Sequence, residues 1–254
     1  MLTVSDTAYA IATIRAMEGD LPAPERLFED PYAAIFSAAG AHAAEGTSRF
    51  LGLPFFRDGI RLRTRGIDDV VRAALADGLA QVVVVGAGFD ARGLRMPEIA
   101  ARGARVFEVD FAELLEKKRA LLDAGGVTVP PSMAHVACDF NAPDFEAALL
   151  AGLESCGFRV GAGALFVWEG VLTYLDRAAI DRTLRFMARA RGKGSRAVFE
   201  RGPSAFEPET VLECVRRAGF SACDEVGFEE LWRRYLPGEP HENAALIRLA
   251  VATV

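Results

Sequence analysis

The chain has 254 residues, 51% of them hydrophobic, which is enough to bury a full core without disulfides or metals as staples. Its 29 basic and 35 acidic residues leave a formal charge of −6, and the basic residues are scattered, so no electrostatic footprint for nucleic acid is present and a small-molecule or protein substrate is expected. No stretch approaches the ~18 consecutive apolar residues of a membrane span, and Asp6, Arg15 and Glu18 interrupt the N-terminus, so a soluble, cytoplasmic chain is expected.

In chain order, residues 5–18 place Ala8, Ile11, Ala12 and Ile14 at helical spacing behind Ser5 or Asp6 as a cap. Pro22 and Pro24 break that pattern, Asp30-Pro31 opens a second short helix through Ile35 and Phe36, and Gly40 stops it. Ile60–Leu79 resumes the helical period and closes at Gly78. Residues 1–80 therefore read as a helical cap packed on a core formed by 81–254, the two making one continuous unit.

From Gln81 the pattern alternates. Strands are expected at Gln81–Gly86, Arg105–Asp110, Met133–Asp139, Ala164–Glu169 and Arg196–Arg201, with helices near Ala91–Arg102, Phe111–Ala124, Asp144–Leu153 and Arg177–Arg191 between them. Such alternation predicts an α/β fold of parallel strands with right-handed crossovers. One more helix at 211–220 and two strands, Ser221–Val226 and Leu246–Val254, complete the chain. Cys138, Cys156, Cys214 and Cys223 show no C-x-x-C spacing and read as reduced, buried thiols.

Four valines followed by Gly86-Ala87-Gly88 mark a buried strand and a turn that a ligand approaches closely. Gly86, Asp110, Asp139 and Glu169 end four successive strands, and ligands of open α/β sheets bind outside those carboxyl ends. Taken singly, each acid also reads as a helix cap. Asp90, two residues past Gly88, is unfavourable beside a pyrophosphate, which needs bare N–H groups at a helix start. A phosphate-free cationic nucleotide such as S-adenosylmethionine suits the carboxylates instead. Asp110, twenty-two residues after Gly88, sits near the spacing of a ribose-binding acid. In the common doubly wound order, Asp139 would face the adenine and Glu169 the reacting methyl. Arg63 and Arg65 are candidates for the methionine carboxylate.

These residues carry a family resemblance. Thr7-Ala8, Arg15-Ala16, Asp30-Pro31-Tyr32, Arg63-Thr64-Arg65-Gly66, VVVVGAGFDARGLR, FEVDF at 107–111, Cys138-Asp139-Phe140 and WEGVLTYL at 168–175 run in order through the chain. The sequence resembles the leucine carboxyl methyltransferase and polyketide O-methyltransferase group of S-adenosylmethionine-dependent enzymes. The resemblance implies a Rossmann-like, mostly parallel seven-stranded sheet with an antiparallel edge and an N-terminal helical cap. It assigns Arg63 to the cofactor carboxylate, Gly86 and Gly88 to the turn, Asp110 to the ribose, Asp139 with Phe140 to the adenine side, and Glu169 to the end of the fourth strand. Arg15 resembles a second basic residue.

Methyl transfer from a sulfonium relies on positioning and exclusion of water. An acceptor hydroxyl needs a base, whereas a carboxylate acceptor is already ionised. His42 lies in the cap, His135 alternates with apolar neighbours on a strand, and His241 lies in a loop between proline and the last strand. With no evident base, a carboxylate of a small molecule such as a polyketide is the favoured acceptor, held by Tyr174 and Arg201; a phenol or hydroxyl is the alternative. A nicotinamide oxidoreductase would share the fold, but Asp90 and the lack of a Tyr-x-x-x-Lys pair argue against it. A silent binding protein would not need the strand-end acids. No metal ligands are expected.

Overall fold

The computed structural model describes residues 4–43, 48–49, 51–53, 55–140, 142, 144–190 and 192–254. Its strands are β1 Gln81–Val85, β2 Arg105–Asp110, β3 Met133–Ala137, β4 Leu165–Trp168, β5 Arg196–Arg201, β6 Ala222–Gly227 and β7 Arg248–Thr253. They form one 7-stranded sheet in the order β3-β2-β1-β4-β5-β7-β6. Strands β1 to β5 pair in parallel, and β7 runs antiparallel to both β5 and β6. The α/β sheet with an antiparallel edge is thus the architecture that forms, and β2 and β5 have the bounds read from the sequence.

The helices are α1 Val4–Glu18, α2 Ala33–Ala39, α3 Phe56–Ala76, α4 Arg92–Arg95, α5 Pro97–Ala101, α6 Ala112–Ala124, α7 Phe145–Ser155, α8 Arg177–Arg189, α9 Val211–Ala218 and α10 Phe228–Tyr235. Every residue of β1 is buried, because a strand flanked by parallel neighbours is covered on both faces. Val83 and Val85 pack with Leu149, Leu184 and Val215 of α7, α8 and α9. Val82 and Val84, pointing the other way, pack with Leu62, Ile67 and Val71 of α3 and Leu231 of α10.

The structure refines the sequence reading in places, with local causes. The single helix expected at 91–102 is split into α4 and α5 at Met96-Pro97, where Met96 takes an extended conformation that the following proline favours. The segment between the last two strands contains α10, whose Phe228 and Leu231 are buried on the sheet. In α3, Leu62, Ile67 and Val71 pack on the sheet while Phe56, Ile60 and Arg63 face a cavity at the strand ends, and the chain before it lies over those ends. There Tyr9 of α1 and Phe36 of α2 meet Phe89 at ring-centroid distances of 4.9 and 4.7 Å. Asp30 Oδ1 accepts the Ala33 N–H at 3.0 Å and opens α2, and Gly40 ends it. The side chains of Ser5, Asp6 and His42 lie outside the described residues.

The cysteines are all free: Cys138 and Cys214 are buried, Cys156 and Cys223 half-buried. Burial pushes the Cys138 and Cys223 thiols up to about 12, which keeps them protonated and unreactive.

Candidate functional site

The site is built at the carboxyl ends of β1, β2, β4 and β5. Beyond Val85 the chain turns through Gly86 and Gly88, both at positive φ (72° and 47°). A Cβ on Gly86 would lie 2.3 Å from Val171 Cγ2, so only glycine lets the loop after β4 close over this turn. Four of the turn's backbone donors are used within the protein. The N–H groups of Gly86 and Ala87 both donate to the Val109 carbonyl at 2.9 and 3.0 Å, Gly88 N–H donates to Asp110 Oδ2 at 2.7 Å, and Asp90 N–H donates to the Ala87 carbonyl at 2.8 Å. A pyrophosphate requires such groups free at a helix start. Here they are engaged, and the helix that follows, α4, has only 4 residues.

A cavity of about 220 Å³ opens above the turn. Gly86, Gly88, Asp90, Asp110 and Glu169 line it from the strand ends, Phe111, Leu114 and Phe140 from one side, and Thr7, Ile11 and Arg15 from α1. Asp110 is clamped twice, since its Oδ1 also accepts the Phe111 N–H at 2.7 Å. Burial nevertheless pushes its pKa up, outweighing those two donors. Asp139 is exposed and is not among the lining residues; Cys138 N–H before it still donates to the Asp110 carbonyl at 2.9 Å, and Phe140 after it is buried at the cavity wall.

The cations expected to face the cavity are held by carboxylates. Arg63 lines it, with Nε 2.8 Å from Glu169 Oε1 and Nη1 3.1 Å from Glu200 Oε1. Arg65 points elsewhere, to Asp69 Oδ1 at 3.0 Å and the Leu27 carbonyl at 3.0 Å, with Tyr235 under its guanidinium. Arg15 donates to the Phe89 carbonyl and pairs with Asp30 Oδ2 at 3.1 Å.

Arg92, which the sequence reading did not single out, is the buried hub. Only 1% of its side chain is exposed, and it pairs with Asp68 at 2.8 Å, Glu169 at 2.6 Å and Asp90. The signal was present in DARGLR, but an arginine inside an expected helix ordinarily points to solvent. Burial works against the charged form of Glu169, but Arg92 and Arg63 outweigh it and hold that carboxyl well below the usual range. Asp90 is lowered in the same way, burial being overcome chiefly by Arg92.

A second cavity, about 720 Å³, adjoins the first and shares Thr7, Ile11, Arg63, Gly170 and Tyr174 with it. Its walls are largely apolar: Phe55, Phe56, Ile60, Leu172, Phe228 and Leu246. Tyr174 stands where the two meet, 48% exposed. Arg201 lines the larger cavity, but its guanidinium is held by Glu225 at 2.6 and 3.0 Å. Glu200 also lines it and was missed, because the search for strand-end acids stopped at the fourth strand. His241 stacks on Phe55 at 5.7 Å, its Nδ1 accepts the Asn243 N–H at 3.1 Å, and it is not among the lining residues. His135 sits on β3 with Nε2 3.2 Å from Glu108 Oε2, away from both cavities.

A carboxylate-lined cavity in which the Gly86, Ala87, Gly88 and Asp90 N–H groups are engaged within the protein fits a cationic, phosphate-free nucleotide, with Arg15 and Arg63 at its wall for an anionic end. The profile of the leucine carboxyl methyltransferase family matches residues 8–188. The chain belongs to that family. It is 35% identical over 228 residues to a "Putative S-adenosyl-L-methionine-dependent methyltransferase" of Mycobacteroides abscessus, covering 82% of this chain and 69% of that protein. A protein of the same description from Frankia alni is 36% identical over 199 residues, covering 76% of this chain and 67% of its own length. Among solved structures, a DUF574 family protein from Streptomyces avermitilis superposes with a TM-score of 0.60 at 15% identity, covering 97% of this chain and 96% of that one. The structure of a "putative methyltransferase" from Thermobifida fusca gives 0.55 at 16% identity, covering 99% and 94%; at such identities both show the fold alone. This family member is an S-adenosylmethionine-dependent methyltransferase, and the oxidoreductase alternative finds no support.

Proposed function

We propose that this methyltransferase methylates an oxygen of a small molecule seated in the larger, apolar cavity. The observation that carries the reading is the junction of the two cavities at Gly170 and Tyr174, which lets a cofactor on the turn side meet an acceptor on the other. The apolar wall suits an aromatic or polyketide-like molecule.

S-adenosylmethionine supplies an electrophilic methyl group on a sulfonium. In this reading Asp110 accepts from the ribose hydroxyls, Phe111 and Phe140 border the adenine, and Arg63 and Arg15 face the methionine carboxylate. Asp139, lying outside the cavity wall, would act on the adenine side only by reaching in from the rim. Glu169, held ionised by Arg92 and Arg63, keeps a negative charge near the cationic end of the ligand. Tyr174 orients the acceptor, while Arg201 shapes the wall through its pair with Glu225. The ring contacts of Tyr9 and Phe36 with Phe89 hold the cap against the turn side of the site.

The test is a transfer screen with methyl-labelled cofactor over phenols, alcohols, carboxylic acids, amines, thiols and peptide C-termini. Label is expected on an oxygen of a small apolar acceptor. Label confined to amines or thiols, or to peptide C-termini, would overturn the reading.

A further inference from the structure

Glu200 lies one residue before the end of β5, opposite Leu249 of β7. Its side chain reaches towards β4, where Oε1 accepts the Gly170 N–H at 2.7 Å and the Arg63 guanidinium at 3.1 Å. Its Oε2 is buried and makes no hydrogen bond to the described residues. A buried carboxylate oxygen without a donor is costly, so such groups ordinarily have a partner or a function that supplies one.

Glu169 and Glu200 share the single guanidinium of Arg63 and are driven apart. Arg92 serves Glu169 as well and keeps it low. Glu200 has only part of Arg63, and burial pushes its pKa up, with the Glu169 charge adding to the rise and Arg63 and the Gly170 N–H not offsetting it. Two neighbouring carboxyls separated in this way mark one as a fixed charge and the other as a proton carrier.

The charge inventory of the larger cavity points the same way. Among the described residues its charged lining consists of Arg63, Glu200 and Arg201. Arg63 is divided between two glutamates, and Glu225 holds Arg201 at Nε and Nη2. A carboxylate acceptor would be repelled by Glu200, whose Oε2 has no donor among the described residues. A hydroxyl meets a hydrogen-bond acceptor.

We propose that Glu200 is the general base of the reaction and that the acceptor is consequently a phenol or alcohol and not a carboxylic acid; this rests on the assignment of the larger cavity to the acceptor. The acceptor O–H bond breaks with its electron pair staying on oxygen, and the proton passes to the Glu200 carboxylate. That oxygen forms the new bond to the methyl carbon, the C–S pair leaves with sulfur as a neutral thioether, and Glu200 returns its proton to solvent.

The experiment compares wild type, Glu200→Gln and Glu200→Asp. Binding of S-adenosylmethionine to the wild type is measured first, and its absence would sink the methyltransferase reading itself. Equilibrium binding of two probes that share the naphthalene ring, 2-naphthol and 2-naphthoate, to the protein loaded with S-adenosylhomocysteine then tests the inference without turnover. Wild type should bind the naphthol more tightly, and Glu200→Gln should reverse the order by weakening naphthol and strengthening naphthoate. In turnover with a phenolic or alcoholic acceptor, kcat/KM of the wild type should climb with pH as Glu200 ionises and then level off. Glu200→Gln should lose that limb and about 10²–10⁴-fold in kcat, while Glu200→Asp, which keeps the carboxylate, should keep the limb at reduced kcat. Preference of the wild type for naphthoate, or an unchanged pH profile and kcat in the folded glutamine variant, would overturn the proposal. Should Glu200→Gln fail to fold, a Glu200→Asp enzyme with wild-type kcat and profile would overturn it equally.

Discussion

The Asp110 carboxylate holds Gly88 N–H with one oxygen and Phe111 N–H with the other. A carboxylate offers about four acceptor positions, so about half stay available to a ligand after the turn is clamped. The same residue can therefore cap the turn and receive ribose hydroxyls, and these two roles, rival readings in the sequence, are compatible in space. Asp110→Ala is expected to weaken S-adenosylmethionine binding by about 1–3 kcal/mol through lost charge-assisted hydrogen bonds. Calorimetry measures this, and an unchanged affinity would leave Asp110 as a turn clamp only. Asp110 was legible because spacing from the glycine turn is a local property. Glu200 was not, because its importance arises from Arg63, a residue 137 positions away.

At the scale of elements, the strand β1 and its turn are one device. Its valines drive it into the middle of the sheet, and the two positive-φ glycines let the chain reverse under the loop that follows β4. That loop arrives through Val171, packed where a Gly86 side chain would be. Gly86→Ala should destabilise the protein by roughly 2–4 kcal/mol, from a strained left-handed backbone and overpacking against Val171. Urea titration of Gly86→Ala, Val171→Ala and the double variant separates the two causes. The double variant is expected to recover the steric part, about 1–2 kcal/mol, but not the backbone part; strict additivity would show that Val171 is not what the alanine meets.

Across the whole molecule, a chain of alternating charges ties the cap to the sheet. It runs from Arg15 to Asp30 (3.1 Å), Arg95 (3.7 Å), Asp68 (2.7 Å), Arg92 (2.8 Å), Glu169 (2.6 Å), Arg63 (2.8 Å) and Glu200 (3.1 Å). It joins α1, the loop before α2, α4, α3 and the ends of β4 and β5, so the two cavities are bounded by one electrostatic framework. Buried pairs of this kind give little net stability as a whole, because desolvation offsets their attraction, but removing one member leaves its partners exposed to the full penalty. Asp68 has no exposed side-chain surface and serves both Arg92 and Arg95. Asp68→Ala is expected to lower unfolding stability by about 3–5 kcal/mol, read from the denaturant midpoint at neutral pH. A loss under about 1 kcal/mol would mean that the two arginines find other partners and that the framework is not continuous.

The sequence by itself determined the parallel order of the first strands, the buried β1, the glycine turn and the carboxylates at the ends of β2 and β4. Each follows from a local period, a steric demand or a fixed spacing, and each survives folding unchanged. The tertiary structure alone decided which charges cancel. Whether Arg63, Arg65 or Arg201 meets a ligand, and whether Glu169 or Glu200 stays ionised, depends on distances between residues far apart in the chain and on how much water reaches them. Asp139 shows the same limit from the other side, since it is exposed and outside the cavity wall while Phe140, next in the chain, lines it.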